Sequence, residues 1–266
     1  MLKIRANRLE TIQVGIWQRG ETLEVVWFDE KNQACFLLTD IQHPLSIPKK
    51  IAQQRQIELS GVLKFKFITA ISPQHIWMKT LILPHILNEQ ECEQQCRFTL
   101  QNELPISLEE LWFDYVTGPL KQGFRLDIFA IMQKVAKAHL EPLSPLRIDV
   151  LDNVNHCIFR AFGYLFPNIK RSSTLFLYQD EQSCFALQDR QHELRVIYKI
   201  PQKLTALYAE FCERYKEKPE QVIFYRSLAS TESFPADWLK ADIDLPFIAL
   251  GAALWQKDLQ QDEMSH

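Results

Sequence analysis

The head of the chain limits the architecture most. Ile12–Trp17, Leu23–Phe28 and Ala34–Leu38 are short apolar runs, broken by Arg19-Gly20-Glu21 and Lys31-Asn32-Gln33, both of which carry turn chemistry. Three such runs predict an antiparallel meander. Over Pro48–Leu59, Ile51, Ala52, Ile57 and Leu59 stand opposite Lys49, Lys50, Gln53, Gln54 and Arg55, with proline in the first turn, so a helix follows. Gly61 breaks it, and Val62–Ile71 returns to a strand.

A similar order recurs late in the chain. Thr174–Tyr178, Cys184–Leu187 and Leu194–Ile200 read as strands, Gln202–Lys216 as a helix, Gln221–Tyr225 as a strand and Phe247–Leu259 as a last helix, with Gln260–His266 a frayed tail. The two βββαβα patterns suggest duplication of a larger unit. Between them, Ile76–Leu83 is strand-like. Asn88 with Glu91 forms a capping-box signal for a helix that Pro105 stops near Leu104. Leu111–Val116 and Phe124–Met132 read as strands and Gln133–Leu140 as a helix. This β-α-β-β-α module is flanked by Ser72-Pro73 and Ser144-Pro145. A strand Arg147–Leu151 and a helix Asn153–Phe166 then precede the second pattern.

The expected division is therefore a first half-domain over 1–72, an inserted module over 73–145, a return to the first half over 146–171 and a second half-domain over 172–259. The tail covers 260–266. A chain of 266 residues, 47% hydrophobic and 24% charged, has ample material for such cores.

Composition removes several functions. The net charge of -3 offers no basic face for a nucleic acid, and only seven glycines leave little material for loops that cradle phosphates. The uncharged stretch Leu245–Gln256 is far short of the ~20 apolar residues of a membrane span. Lys3 and Arg5 lead into Glu10 without an apolar signal region, so the expected location is the cytoplasm. Six cysteines are then thiols. Cys92 and Cys96 share a helix, but no second pair or nearby histidine completes a metal site.

Catalytic constellations are equally thin. His156 and Cys157 are adjacent and turn to different helix faces, and Ser172-Ser173-Thr174 lacks a nucleophile-elbow context. Asp149 and Asp152 would suit a two-metal nuclease of ribonuclease H-like fold, but the first strand offers no acid. Asp152 reads better as an N-cap for the helix that follows, and Arg160 as the partner of a carboxylate in the neighbouring module.

Certain residues carry a family resemblance. Leu83-Pro84, Glu91, Glu103, Leu104-Pro105 and Asp114-Tyr115, then the Phe129–Met132 strand, Ala136–Leu140, Ile148-Asp149-Val150 and Arg160-Ala161, resemble the PilM family of type IV pilus assembly proteins. So does Leu250-Gly251-Ala252-Ala253-Leu254 near the end. Chain length and degenerate motifs are most similar to the competence protein A (ComA) branch. The resemblance implies an α/β (α+β) actin-like, ribonuclease H-like fold of two halves with an inserted module and a truncated second half. It also implies a cytoplasmic scaffold, peripheral to the inner membrane, that binds the short N-terminal tail of a PilN-type bitopic membrane protein in pilus assembly or DNA uptake.

Family members also bind ATP. Here Trp17 and Arg19 stand where the first phosphate loop would place an acid and a glycine, with Gly20 left as a hairpin residue, and Tyr178 and Asp180 occupy the corresponding places of the second loop. The expectation is a pseudo-ATPase without cofactor or enzymatic activity. An ATP-binding assembly ATPase is the alternative, and a metal nuclease a more distant one. A partner tail of the type Asn-Leu-Leu-Pro-aromatic-Arg needs apolar pockets and a carboxylate. The residues expected to supply them are Trp77, Glu103, Trp112, Phe113, Asp114, Tyr115 and Arg160.

Overall fold

The structure is a computed structural model and describes residues 10–55, 63–190, 193–227 and 231–255. The readings made for Lys3, Arg5, Ile57, Leu59, Gly61 and Val62, the end of the expected last helix from Gln256 and the tail from Gln260 lie outside those residues. Along the chain run β1 (Glu10–Arg19), β2 (Thr22–Phe28), β3 (Ala34–Asp40), α1 (Ser46–Gln54) and β4 (Leu63–Ile71). Next come β5 (Trp77–Leu83), α2 (Glu89–Glu103), β6 (Leu111–Pro119), β7 (Phe124–Met132) and α3 (Gln133–Leu140). They are followed by β8 (Val150–Asn153), α4 (Val154–Leu165), β9 (Thr174–Gln179), β10 (Cys184–Asp189) and β11 (Leu194–Lys199). The last elements are α5 (Leu204–Tyr215), β12 (Gln221–Arg226), β13 (Leu239–Lys240) and α6 (Phe247–Ala253).

The duplication suggested by the sequence is visible in the sheets. One has the order β3-β2-β1-β4-β8 and another β11-β10-β9-β12-β13, so each half has an antiparallel meander joined to a parallel strand beside its first strand. A third, antiparallel sheet has the order β5-β7-β6. The chain divides into two compact units, one of residues up to Ile71, Ala138–Tyr164 and from Ile243 on, the other of Ser72–Lys137 and Leu165–Asp242. Among the described residues no helix is long and apolar enough to cross a membrane.

In the first unit, alternation along β1 sends Ile12, Val14 and Ile16 into a core with Val25, Trp27 and Ile47. Gly15 faces the other way, onto α6. A Cβ there would lie 2.0 Å from the Ala249 carbonyl oxygen, and one on Gly251 would lie 1.8 Å from that of Cys157, so two glycines allow α6 to touch β1 and α4 at backbone distance. Gln13 Nε2 donates to the Ala253 carbonyl at 2.7 Å and fixes the same contact.

The strand expected over Arg147–Leu151 is displaced toward the C-terminus. Asp149 lies before β8, its N–H donating to the Phe67 carbonyl (2.9 Å) and its carboxylate accepting the Phe67 N–H (2.9 Å). Asp152 does not cap α4. It lies within β8, while the Asn153 side chain accepts the N–H of Asn155 in the first helical turn at 2.9 Å.

In the second unit, Leu175, Leu177, Cys184, Ala186, Val222 and Phe224 pack beneath α5. Glu232 holds the N-terminus of α5, accepting Thr205 N–H at 2.9 Å, Thr205 Oγ1 at 2.8 Å and Arg226 Nη1 at 3.0 Å. Burial pushes the Glu232 carboxyl up, but the Thr205 and Leu204 donors and the Arg226 charge outweigh it and leave the pKa lowered.

Candidate functional site

The module sheet has two chemically different faces because side chains alternate along each strand. Phe113 and Tyr115 of β6, with Trp77, Leu81 and Leu83 of β5, pack against Cys92, Cys96 and Leu100 of α2. The α2 N-terminus is set by the expected capping box, with Asn88 Oδ1 accepting the Glu91 N–H and Glu91 accepting the Asn88 N–H. Burial, with Cys92 next, pushes the Cys96 thiol up to about 11, so it is held neutral as a core side chain.

The opposite face carries Trp112, Asp114 and Val116 along β6, with Trp112 at 41% and Val116 at 55% exposure. Beside them on β7 lie Ile131, Phe129 and Asp127, in register with Trp112, Asp114 and Val116. Asp127 is spent locally, accepting from Thr80 Oγ1 at 2.5 Å and pairing with Arg125 at 2.8 Å. Among the described residues, Asp114 Oδ1 accepts a strand N–H, that of Tyr115, at 2.8 Å.

The seven residues expected to bind a partner are thus not one cluster. Trp77, Phe113 and Tyr115 serve the core beneath α2, whereas Trp112 and Asp114 share the other face. Glu103, at the end of α2, pairs with Lys79 at 2.9 Å. Lys79 has the strand parity of Trp77 and Leu81, so Glu103 and Asp114 stand on opposite sides of the sheet. Arg160 belongs to the first unit and is buried on α4. It pairs there with Asp152, which also accepts the Cys157 thiol at 3.5 Å, so the expected pairing with a carboxylate of the module is corrected. Val116 was missed, although its parity with Trp112 and Asp114 is readable from the sequence.

The two hairpins that the resemblance equates with phosphate loops are closed on themselves. Arg19 and Thr22 pair across a two-residue turn in which Gly20 adopts φ +59°, as its hairpin reading requires. Arg19 Nε reaches Glu24 at 3.1 Å, and Trp17 lies opposite Glu24 in the ladder. In the β9–β10 turn, Asp180 Oδ1 accepts the N–H groups of Gln182 (2.9 Å) and Ser183 (2.8 Å) and the Ser183 hydroxyl (3.1 Å). Its Oδ2 accepts the Tyr178 hydroxyl at 2.8 Å. The turn's N–H groups therefore point at their own carboxylate. Among the described residues, no three of His, Cys, Asp and Glu are grouped to hold a metal ion.

No protein-family model matches the sequence, and comparison with curated proteins finds no match. Solved structures do match. The chain is similar to one from a PilM-PilN type IV pilus biogenesis complex, at 14% identity and TM-score 0.55, with 81% of each chain covered. It is similar as well to the cytoplasmic domain of EpsL, an inner membrane component of the type II secretion system of Vibrio cholerae, at 13% identity and TM-score 0.55, with 94% of each chain covered. At such identities the likeness establishes the fold. With the repeated five-strand order, it makes this a mixed α/β chain of actin-like fold.

Proposed function

We propose that this protein is a cytoplasmic actin-like scaffold of a type IV pilus, competence or related secretion machine. It holds the short tail of a PilN-type inner-membrane protein and is thereby peripheral to the inner membrane. The reading is carried by the module sheet, which buries one face under α2 and leaves Trp112 and Val116 exposed on the other around Asp114. An exposed tryptophan and an exposed valine flanking a carboxylate suit a peptide with apolar anchors and a cation. The likeness in fold to a chain of a PilM-PilN complex supports the choice of partner.

Nucleotide has no part in this proposal. A phosphate loop works by aiming free backbone N–H groups at an anion. In the β9–β10 turn two such groups already serve Asp180, whose negative charge would repel a phosphate. The test is fluorescence anisotropy of the full chain with a labelled synthetic tail peptide of the type Asn-Leu-Leu-Pro-Phe-Arg. Saturable binding, weakened by Trp112→Ala and Asp114→Asn, supports the proposal. Absence of binding to that tail at high protein concentration overturns it.

A further inference from the structure

We propose that β6 is a docking strand. An extended partner segment, with a lysine or arginine flanked two positions away on each side by apolar residues, adds to its free edge. This rests on the partner-binding reading above and gives it an address. β6 is the outermost strand of β5-β7-β6, and among the described residues no strand pairs with its other side.

The β6–β7 hairpin fixes which backbone groups face that edge. Leu120 N–H donates to the Gly123 carbonyl at 3.2 Å, so by the alternation of an antiparallel ladder Gly118, Val116, Asp114 and Trp112 bond to β7. Phe113, Tyr115 and Thr117 then turn N–H and C=O outward. The phase agrees with Tyr115, whose N–H is taken by the neighbouring Asp114 carboxylate.

Natural sheet edges are commonly blocked by lysine, by proline or by a bulge. The central block here is one movable carboxylate. A partner carbonyl that took over the Tyr115 N–H would release Asp114 to meet a partner cation, with no buried donor left unpaired. Trp112 and Val116 share Asp114's face two residues to either side, about 7 Å away along the strand. They therefore oppose the two apolar residues of the added strand.

Charge selects the sign of the partner. Residues 73–145 hold nine carboxylates and six Lys or Arg side chains, and three of those cations are already paired, Lys79 with Glu103, Arg97 with Glu93 and Arg125 with Asp127. Glu109 and Glu110, immediately before β6, add to the field at Asp114. A basic strand is attracted there and an acidic one repelled.

The test uses the full chain and a labelled synthetic peptide, Thr-Leu-Thr-Arg-Thr-Leu-Thr, read by anisotropy. Comparison peptides carry Glu for Arg, or N-methyl groups on one or the other alternate set of backbone amides. The expected result is binding of the Arg peptide, loss of binding for one methylated set only, and a drop of about tenfold or more with the Glu peptide or with Asp114→Asn. Equal binding of both methylated sets and the parent, or of the Glu peptide, overturns the docking strand. Thr117→Pro removes an outward N–H without breaking the ladder to β7 and should weaken the Arg peptide similarly. If that variant does not fold, the methylated peptides decide alone. A genuine membrane-protein tail that binds Thr117→Pro undiminished overturns the docking strand and leaves the proposed function standing. An Arg peptide that binds as described while the tail does not supports the docking strand and removes the proposed partner.

Discussion

Replacing Asp180 separates a structural turn acid from a metal-organising one. Its carboxylate is 4% exposed and accepts from the Tyr178 hydroxyl, the Gln182 N–H, and the Ser183 N–H and hydroxyl, at 2.8 to 3.1 Å. Alanine removes the carboxylate that those donors share. Some regain water at the turn, but the Tyr178 hydroxyl belongs to a buried ring stacked on Tyr225 and does not. Hydrogen bonds to a charged acceptor contribute ~1.5–3 kcal/mol, and a stranded buried donor costs ~1–3 kcal/mol. Since water recovers part of this, Asp180→Ala should destabilise its unit by about 2–3 kcal/mol. That is a fall of roughly 4–12 °C in melting temperature for a domain of this size. Asp180→Asn, which keeps the shape and one acceptor, should lose about half as much. Thermal unfolding by circular dichroism measures both, and Mg-ATP titration is run beside it. An unchanged melt with a loss of Mg-ATP binding would refute the reasoning, because Asp180 would then be serving a ligand rather than its own turn.

Other perturbations have equally definite outcomes. Gly251→Ala places a methyl 1.8 Å from the Cys157 carbonyl oxygen, so urea denaturation should show a loss at or above the upper end of the ~1–3 kcal/mol usual for overpacking, despite the gain in helix propensity. A change within ~0.5 kcal/mol would contradict the close contact. The Glu232 pKa is lowered in the fold, and so is that of Glu217, held by Arg195 and Arg190. Their stabilisation is present above the unfolded carboxyl value of ~4.3 and is lost as pH falls through the lower folded values. Glu232→Gln should flatten the acid limb of a melting-temperature profile, and an unaltered limb would remove Glu232 from it. Cys96, its pKa raised by burial to about 11, should resist alkylation at pH ~8 in the native state and react on unfolding, as mass spectrometry can read. Rapid native alkylation would place it at the surface.

Local chemistry made most elements legible. Turn residues at Gly20 and the capping box at Asn88 and Glu91 act within a few residues, so sequence alone located the first hairpin and the start of α2. The β8–α4 junction was not legible, because Asp152 has the composition of an N-cap but is drawn into β8 by a tertiary partner, Arg160, one helix face away. The two-residue strand β13 carries no periodicity to read. At the site, aromatic and acidic side chains of β6 were recognisable but were pooled across both faces. Strand parity divides Phe113 and Tyr115 from Trp112, Asp114 and Val116, and only the position of α2 tells which set is buried. Asp180 illustrates the same limit, since an acid three residues before Ser183 between two strands signals an Asx turn as readily as a lost phosphate site.

Calorimetric titration of the full chain with a synthetic tail peptide of the type Asn-Leu-Leu-Pro-Phe-Arg, in the absence and presence of millimolar Mg-ATP, tests the central claim most directly. A nucleotide-independent scaffold gives saturable tail binding with the same affinity in both conditions, and no heat when Mg-ATP is titrated alone. Tail binding that appears only with Mg-ATP, or Mg-ATP binding without any tail binding, would contradict it.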